Sequence, residues 1–254
     1  FALEQPKFST AGFYELPNTG REVYSMNLAW RFYKGDVVGT PFATGFDDSG
    51  WEVISIPHGL EYLPIEASGC ANYQGVAWYR KRFTLDSRLK GKQLFIHFEA
   101  IMGKSEVYVN GKLLKKQYGG YLPVILDVTN ELDWDGENVI AVKADNSDDP
   151  SYPVGKPQNL LDFTYFGGIY RDCWLVAHNK VFITNANYEN EVAGGGLFVS
   201  FADVSEKSAI VNLKAHVRNL SEKNERVTVT FNLKNKSGEV VKQVFKKVSV
   251  RKGK

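Results

Sequence analysis

Hydrophobic and polar residues alternate with a period of two along most of this chain. In Lys92–Ala100, the residues Leu94, Ile96 and Phe98 fall on one face together with Ala100. Successive strand residues point to opposite faces of a sheet, so this alternation predicts a half-buried β-strand. The same pattern predicts strands at Val76–Leu85, Ser105–Asn110, Glu137–Ala144, Tyr170–Ala177 and Val181–Tyr188. Helical periodicity over ten or more residues is absent from the sequence, which therefore predicts an all-β fold.

Turn signals separate these predicted strands. Asn110-Gly111 is the strongest of them, because both residues tolerate the positive φ that a two-residue hairpin requires. Asp127–Leu132 is the best helical candidate, as a single turn. Many short strands joined by Gly, Asn, Asp and Pro indicate a β-sandwich or a barrel.

The character of the strands changes near residue 179. Before this point the strands are rich in aromatic residues and have long loops, whereas the later strands are regular, rich in lysine and joined by short turns. We predict a first β-sandwich domain at residues 1–179 and an immunoglobulin-like β-sandwich domain at residues 180–254. Such a sandwich needs about 100 residues and seven strands. Only 75 residues remain after residue 179, so the second domain is predicted to be incomplete.

Composition and charge exclude several classes of protein. Of the 254 residues, 43% are hydrophobic, which is enough to bury a core and argues against disorder. No apolar run approaches the roughly 18–20 residues of a membrane span. The last fifty residues carry 13 Lys and Arg against 4 Asp and Glu. Their lysines alternate with apolar residues along strands, which predicts a solvated strand face and not a nucleic-acid surface. Cys70 and Cys173 are predicted to be free thiols.

Five segments in fixed order carry a resemblance to glycoside hydrolase family 2. They are Asn27–Phe32 followed by Gly35-Asp36, Trp51 with Ile56-Pro57-His58, Gly75–Phe83, Val107–Gly111, and Phe166–Asp172. The order and spacing agree over roughly residues 25–178. The resemblance implies a jelly-roll sugar-binding domain, then an immunoglobulin-like domain, then a catalytic (β/α)₈ barrel.

The resemblance also implies where the chemistry lies. Family members are retaining β-glycosidases whose acid/base and nucleophile are two glutamates on the barrel, and such a pair must sit about 5–5.5 Å apart. The sequence shows no βα alternation of the kind that a barrel requires. We therefore expect the chain to be the N-terminal, non-catalytic portion of a β-glycosidase, with a β-galactosidase as the favoured parent and no catalytic residue in these 254 residues.

Two residues are expected to touch the substrate. Asp162 lies ten residues before Asp172, where the resemblance places an aspartate that contacts hydroxyls of the terminal sugar. Asn72, just before the strand that follows Gly75, corresponds to an asparagine with a similar role. Each has a structural alternative, because loop Asp and Asn residues often bond their own backbone.

Other candidate chemistry is interpreted as structural. Asp145, Asp148 and Asp149 lack the spacing of a calcium loop and are predicted to lie in a solvated loop. The four histidines lie far apart, so we expect no metal site. Arg171 and Asp172 are predicted to form an ion pair that fixes the loop to the strand.

The remaining expectations concern partners and compartment. We expect no cofactor, no nucleic acid and no membrane. The expected partner is a carbohydrate substrate shared with a catalytic barrel. A homo-oligomer of the parent enzyme is a further possibility. A periplasmic or secreted location is favoured over a cytoplasmic one. A freestanding carbohydrate-binding module or lectin is the alternative function, with a tandem-sandwich adhesin ranked below it.

Overall fold

The structure is a computed structural model that describes residues 21–60, 73–152, 155–161, 166–192 and 194–254. The chain divides into two compact units, Phe1–Ala177 and His178–Lys254. Nearly all regular structure in the described ranges consists of strands in antiparallel pairs, which confirms the predicted all-β sandwich class. Within these ranges, no helix has both the length and the apolar character needed to cross a lipid bilayer.

The strands of the first unit form two sheets that enclose one core. They are β1 (Glu22–Ser25), β2 (Trp30–Lys34), β3 (Glu52–Ile54), β4 (Val76–Phe83), β5 (Gln93–Phe98), β6 (Lys104–Val109), β7 (Lys112–Tyr118), β8 (Val124–Asp127), β9 (Asn138–Asp145) and β10 (Cys173–His178). One sheet has the strand order β1-β10-β5-β8 and the other has the order β3-β2-β4-β9-β6-β7. Non-sequential neighbours of this kind fit the expected jelly roll.

The core lies between the two sheets and follows the alternation in the sequence. Leu94, Ile96 and Phe98 of β5 are fully buried, as are Val107 of β6 and Val142 of β9 on the facing sheet. Each fully buried aliphatic or aromatic side chain stabilises the fold by roughly 1.5–3 kcal/mol relative to exposure. The three segments are strands, as predicted. Only alternate residues of β6 are buried, whereas β5 and β9 are buried on both faces.

The six-stranded sheet has a well-defined loop end. At this end Val76 of β4 pairs with Asp145 of β9, Asp145 pairs with Lys104 of β6, and Lys104 pairs with Tyr118 of β7. The opposite end carries the predicted hairpin at Asn110 and Gly111, with φ values of 49° and 85°. The asparagine-glycine prediction is thus confirmed.

The helical prediction at Asp127–Leu132 is wrong. Strand β8 runs through Asp127, and an irregular turn follows it. The carboxylate of Asp127 accepts the backbone N–H of Thr129 at 3.0 Å, and the Glu131 N–H donates to the Val128 carbonyl at 3.0 Å. A short acidic side chain that bonds the backbone two residues ahead favours a turn over a helix.

The second unit contains the one α-helix of the described residues, whereas two 3₁₀ helices, Ser87–Leu89 and Gln158–Leu160, lie in the first unit. The strands of the second unit are β11 (Val181–Ile183), β12 (Leu197–Ala202), β13 (Ile210–Ala215), β14 (Val217–Asn219), β15 (Glu225–Lys234) and β16 (Val240–Val250), and its helix is α1 (Ala186–Glu189). They pair as β11-β14, β12-β13 and β15-β16, all antiparallel.

The strand predicted at Val181–Tyr188 is therefore too long. The carboxamide of Asn185 accepts the N–H groups of Asn187 at 2.9 Å and Tyr188 at 3.3 Å. This is an N-cap, which satisfies backbone donors at a helix start and ends the strand.

Strand β4 places a lysine among core residues. Lys81 lies two residues after Tyr79, on the same face of β4, and is 5% exposed. Its ammonium donates to the Leu28 carbonyl and lies 5.9 Å from the Trp30 ring centroid. Burial lowers the pKa of Lys81 to about 8, because the protein interior disfavours the charged form.

The opposite face of β4 carries a buried ion pair. Arg80 is fully buried, and its Nε donates to the Asp48 carboxylate at 2.7 Å. The Arg80 guanidinium also donates to the Pro41 carbonyl and lies 5.4 Å from the Phe46 ring centroid. Segment 41–48 is thereby fastened over the outer face of the six-stranded sheet.

Candidate functional site

The two predicted substrate residues lie outside the described residues. Asn72 falls within 61–72 and Asp162 within 162–165, so their side-chain geometry is not part of the structure described. The residues that flank these segments are described, and they determine where each segment leaves the jelly roll.

A backbone ladder joins the start of one segment to the end of the other. The Leu60 N–H donates to the Gly167 carbonyl at 3.0 Å, and the His58 N–H donates to the Ile169 carbonyl at 2.8 Å. Leu60 is the last described residue before segment 61–72, and Gly167 follows segment 162–165 by one described residue. The chain that leads to Asn72 and the chain that leaves Asp162 are therefore neighbours at one edge of the unit, which we call the ladder edge.

Asn146 fastens the other end of segment 61–72. Its Oδ1 accepts the Gly75 N–H at 2.8 Å, and its Nδ2 donates to the Tyr73 carbonyl at 2.9 Å. Asn146 is only 2% exposed and follows directly after β9, while Gly75 directly precedes β4. The side chain thus extends the β4-β9 pairing past its last register pair, and it fixes the position at which the chain emerges after Asn72.

The paired glycines are required by close packing at the ladder edge. A Cβ added to Gly167 would collide with the Asn146 carboxamide and the Leu60 side chain. Gly168 has φ of 101°, and its Cβ would collide with the Tyr79 hydroxyl. Positive φ and close approach are the two reasons for which a backbone needs glycine. The sequence Gly167-Gly168 therefore lets segment 166–170 lie against Asn146 and Tyr79.

A neutral polar cluster lies beneath the ladder edge. The Nδ1 of His58 is 3.0 Å from the Tyr79 hydroxyl, and the His58 ring packs edge-on against Phe32 at 4.5 Å between centroids. Burial lowers the pKa of His58 below its ordinary value, with a smaller opposing effect of Glu52. The lowered pKa favours the neutral imidazole, which shares a hydrogen bond with the Tyr79 hydroxyl.

The acids of the loop after β9 are engaged with neighbouring groups. Asp148 accepts from the Gln74 carboxamide at 2.7 Å and from the Gln158 N–H at 3.2 Å, which ties this loop to the residues after Asn72. Asp149 forms an ion pair with Lys104 at 2.7 Å. The Lys104 ammonium lowers the pKa of Asp149 well below its ordinary value.

These contacts refine the interpretation of the loop. We predicted a solvated loop, and the acids are indeed partly exposed, but they also organise it. Across the described ranges, no three histidine, cysteine or acidic side chains lie close enough together to hold a metal ion.

The predicted ion pair between Arg171 and Asp172 is wrong. Asp172 accepts from the Asn27 carboxamide at 2.7 Å, and the Asn27 Oδ1 accepts the Cys173 N–H at 2.9 Å. Arg171 lies over the Tyr170 ring at 5.3 Å. Adjacent residues on an extended chain point in opposite directions, so a pair of neighbouring charges rarely meets.

Sequence reasoning missed Asn27 and Asn146 as the residues that hold this edge. Their partners lie 146 and 71 positions away in the chain, and local periodicity carries no signal for such contacts. The described part of the edge supplies hydrogen-bonded backbone positions and polar side chains. Such an arrangement suits the presentation of polar side chains from the two attached segments.

Comparison with known proteins identifies the family. Residues 44–179 match the family described as "Glycosyl hydrolases family 2, sugar binding domain". A β-galactosidase of Thermoanaerobacter pseudethanolicus is 36% identical over 66% of this chain and 22% of its own length. A β-galactosidase of Bacteroides ovatus is 34% identical over 87% of the chain, and a β-glucuronidase of Formosa agariphila is 30% identical over 94%, each across 25% of its own length. The chain thus spans about a quarter of the length of these curated relatives.

Solved structures give the same result. Bacteroides uniformis β-glucuronidase 2, covalently bound to cyclophellitol-6-carboxylate aziridine, has a TM-score of 0.80 and 29% identity over 92% of this chain and 26% of that chain. A second structure of a Bacteroides uniformis β-glucuronidase has a TM-score of 0.79 and 30% identity over the same shares. The chain therefore belongs to glycosyl hydrolases family 2, and it contains the sugar binding domain of that family.

Proposed function

We propose that this chain holds the terminal sugar for a retaining β-galactosidase whose catalytic carboxylates lie outside residues 1–254. Asp162 and Asn72 contact the sugar, and the jelly roll presents them. The observation that supports the proposal is the ladder between Leu60 and Gly167, because it joins the described residue before segment 61–72 to the described residues after segment 162–165. The β-galactosidase relatives, at 36% and 34% identity, favour a galactoside over a glucuronide.

The chemistry of the two side chains suits sugar hydroxyls. An ionised carboxylate such as Asp162 accepts hydrogen bonds at two oxygens, so it can bind two neighbouring hydroxyl groups at once. The carboxamide of Asn72 both donates and accepts, so it can read a hydroxyl in either role. Contacts that tighten as the sugar ring distorts toward the oxocarbenium-like transition state lower the barrier for glycoside cleavage.

The segment anchors explain why a jelly roll can perform this task. A contact that contributes to catalysis must be held in place to within a fraction of an ångström. Leu60, Asn146 and Gly167 bond the backbone on three of the four flanks of segments 61–72 and 162–165. Hydrogen bonds therefore hold the described residues on these flanks.

The test uses the complete natural protein that carries this chain. Hydrolysis of 4-nitrophenyl β-galactoside and 4-nitrophenyl β-glucuronide is compared for the wild type, Asp162→Asn and a matched control, Asp135→Asn, on an exposed turn of the same unit. We expect a preference for the galactoside, and a loss of about 10²-fold or more in kcat/KM for Asp162→Asn alone. Equal loss in both variants, or none in Asp162→Asn, would refute the role of Asp162. A preference for the glucuronide would change the proposed substrate to a glucuronide and leave the proposed role of Asp162 intact.

A second assay tests where the catalytic carboxylates lie. Residues 1–254 alone are incubated with the same two substrates, and we expect no turnover above the background rate. Turnover by this chain would place a catalytic pair within it. A complete protein that binds galactosides and cleaves none of them would favour the freestanding binding module.

A further inference from the structure

Two tyrosine rings form an exposed surface on the outer face of the six-stranded sheet, at its loop end. Tyr118 of β7 lies directly across from Lys104 of β6 and is 62% exposed. Its ring centroid is 5.9 Å from that of Tyr152, with an angle of 41° between the ring planes. The two ring planes are tilted, and Tyr118 is mostly exposed beside the partly buried Tyr152. We call this pair the tyrosine cleft.

The position of Tyr152 is fixed by charged neighbours. The Lys104 ammonium lies 5.8 Å from the Tyr152 ring centroid and is bonded to the Asp149 carboxylate at 2.7 Å. Asp149 also accepts from the backbone N–H of Ser151 at 2.9 Å, next to Tyr152 in the chain. A cation–π contact and an ion pair thus hold one wall of the cleft before any ligand arrives, which reduces the entropy lost on binding.

The surface beside the cleft is rich in hydrogen-bonding groups and electrostatically balanced. Lys116 bonds the Glu106 carboxylate at 2.6 Å, and Lys143 lies 3.7 Å from the Asp36 carboxylate. Together with the pair of Lys104 and Asp149, each lysine of this row faces a carboxylate. A row of compensated pairs offers donors and acceptors to hydroxyl groups but has no excess positive charge to attract an acidic ligand.

We propose that the tyrosine cleft binds a neutral pyranose ring of an oligosaccharide or polysaccharide. The apolar C–H face of the sugar packs on Tyr118, and its hydroxyls bond the ammonium of Lys104 and the carboxylate of Asp149. An exposed aromatic ring beside preset polar groups is the usual composition of a small-molecule contact site. This contact goes beyond the proposed function, because it requires neither Asp162 nor cleavage of the glycoside.

The choice of a sugar over another flat ligand rests on three observations. The matched family is a sugar binding domain. The rings are tyrosines set at an angle, which suits a puckered ring with an apolar face better than a flat aromatic stack. Lys104, Lys116 and Lys143 each face a carboxylate, which disfavours phosphate and carboxylate ligands at these three residues.

The experiment measures binding of the chain 1–254 to soluble polysaccharides by affinity gel electrophoresis. The probes are a neutral β-galactan, a neutral β-glucan and a polyuronate. The variants are Tyr118→Ala, Tyr118→Phe and Asp162→Asn, with Tyr188→Ala as the matched control, since Tyr188 is a 38% exposed tyrosine of the other unit. Thermal unfolding verifies that each variant is folded.

We expect the wild type to be retarded by at least one neutral polysaccharide. Tyr118→Ala should weaken this retardation about five- to tenfold, in line with the roughly 1 kcal/mol of an aromatic contact. Tyr118→Phe and Tyr188→Ala should bind like the wild type, and Tyr118→Ala should weaken the retardation by the same factor when it is combined with Asp162→Asn. The proposal is overturned if the wild type is not retarded, if Tyr118→Ala binds as well as the wild type, or if only the polyuronate binds. Loss in Asp162→Asn alone would assign the binding to the primary sugar contact and also overturn it.

Discussion

Replacement of Asn146 by alanine tests whether the ladder edge is held as described. The substitution removes the acceptor of the Gly75 N–H and the donor to the Tyr73 carbonyl, at 2.8 and 2.9 Å. Each buried backbone group left without a partner costs about 1–3 kcal/mol. Tyr73 and Gly75 are only half-buried, so water compensates for part of this loss. We therefore expect Asn146→Ala to lower the free energy of unfolding by about 2–3 kcal/mol.

The assay is urea unfolding followed by tryptophan fluorescence. All five tryptophans lie in residues 30–174, so this signal reports the unit Phe1–Ala177. The control is Asn130→Ala, which truncates an exposed asparagine in the turn after β8 and should change stability by less than about 0.5 kcal/mol.

If Asn146→Ala lowers the free energy of unfolding no more than Asn130→Ala does, Asn146 does not hold the chain after segment 61–72. In the complete natural protein, Asn146→Ala should also raise the KM for the galactoside, because the chain that bears Asn72 is no longer fixed after Tyr73. A stability loss without any kinetic change would limit Asn146 to a folding role.

Three further predictions concern the fold that supports the edge. The pKa of Lys81 falls to about 8 in the folded protein, so the unfolded chain binds more protons between pH 8 and 10.5, and stability rises with pH across this window. From pH 7 to pH 9.5 the wild type should gain about 2 kcal/mol relative to Lys81→Met in urea titrations, and parallel pH profiles would contradict this. Asp48→Ala leaves the Arg80 guanidinium buried without its carboxylate and should cost about 3–5 kcal/mol in the same assay; a cost below about 1 kcal/mol would show that the pair is dispensable. Gly168→Ala combines positive φ with a collision against Tyr79 and should lower stability by more than about 2 kcal/mol, whereas wild-type stability would show that segment 166–170 can shift.

The sequence predicted those elements that depend on neighbouring residues in the chain, such as strand alternation and tight turns. The alternation of Leu94, Ile96 and Phe98 gives one apolar face, and only one register of β5 buries it. The positive φ of Asn110 and Gly111 follows from residue type, so the hairpin between β6 and β7 was predictable.

The wrong predictions concern polar side chains that have several possible hydrogen-bond partners. The segment after Asp127 could form a helical turn or an Asx-type turn, and the contact with Thr129 selects the second. Asp172 could bond Arg171 or a distant residue, and the return of β10 beside residues 25–27 selects Asn27. These choices depend on tertiary neighbours, which periodicity does not reveal.

The candidate site was predictable only by resemblance. Nothing in the local pattern distinguishes Asp162 from the other loop acids, since each is an acid in a polar, irregular stretch. The structure adds the flanking framework of Leu60, Asn146 and Gly167, which the sequence did not indicate. These residues lie beside the segment that bears Asp162, which agrees with its proposed role.

The most direct test of the central claim is a crystal structure of the complete natural protein with a bound, uncleaved β-galactoside analogue. The account predicts that the two carboxylate oxygens of Asp162 lie within about 2.5–3.0 Å of hydroxyl oxygens of the terminal sugar. The sugar would then be shared between this unit and a catalytic pair outside residues 1–254. A bound sugar that leaves Asp162 bonded only to its own loop would contradict the account.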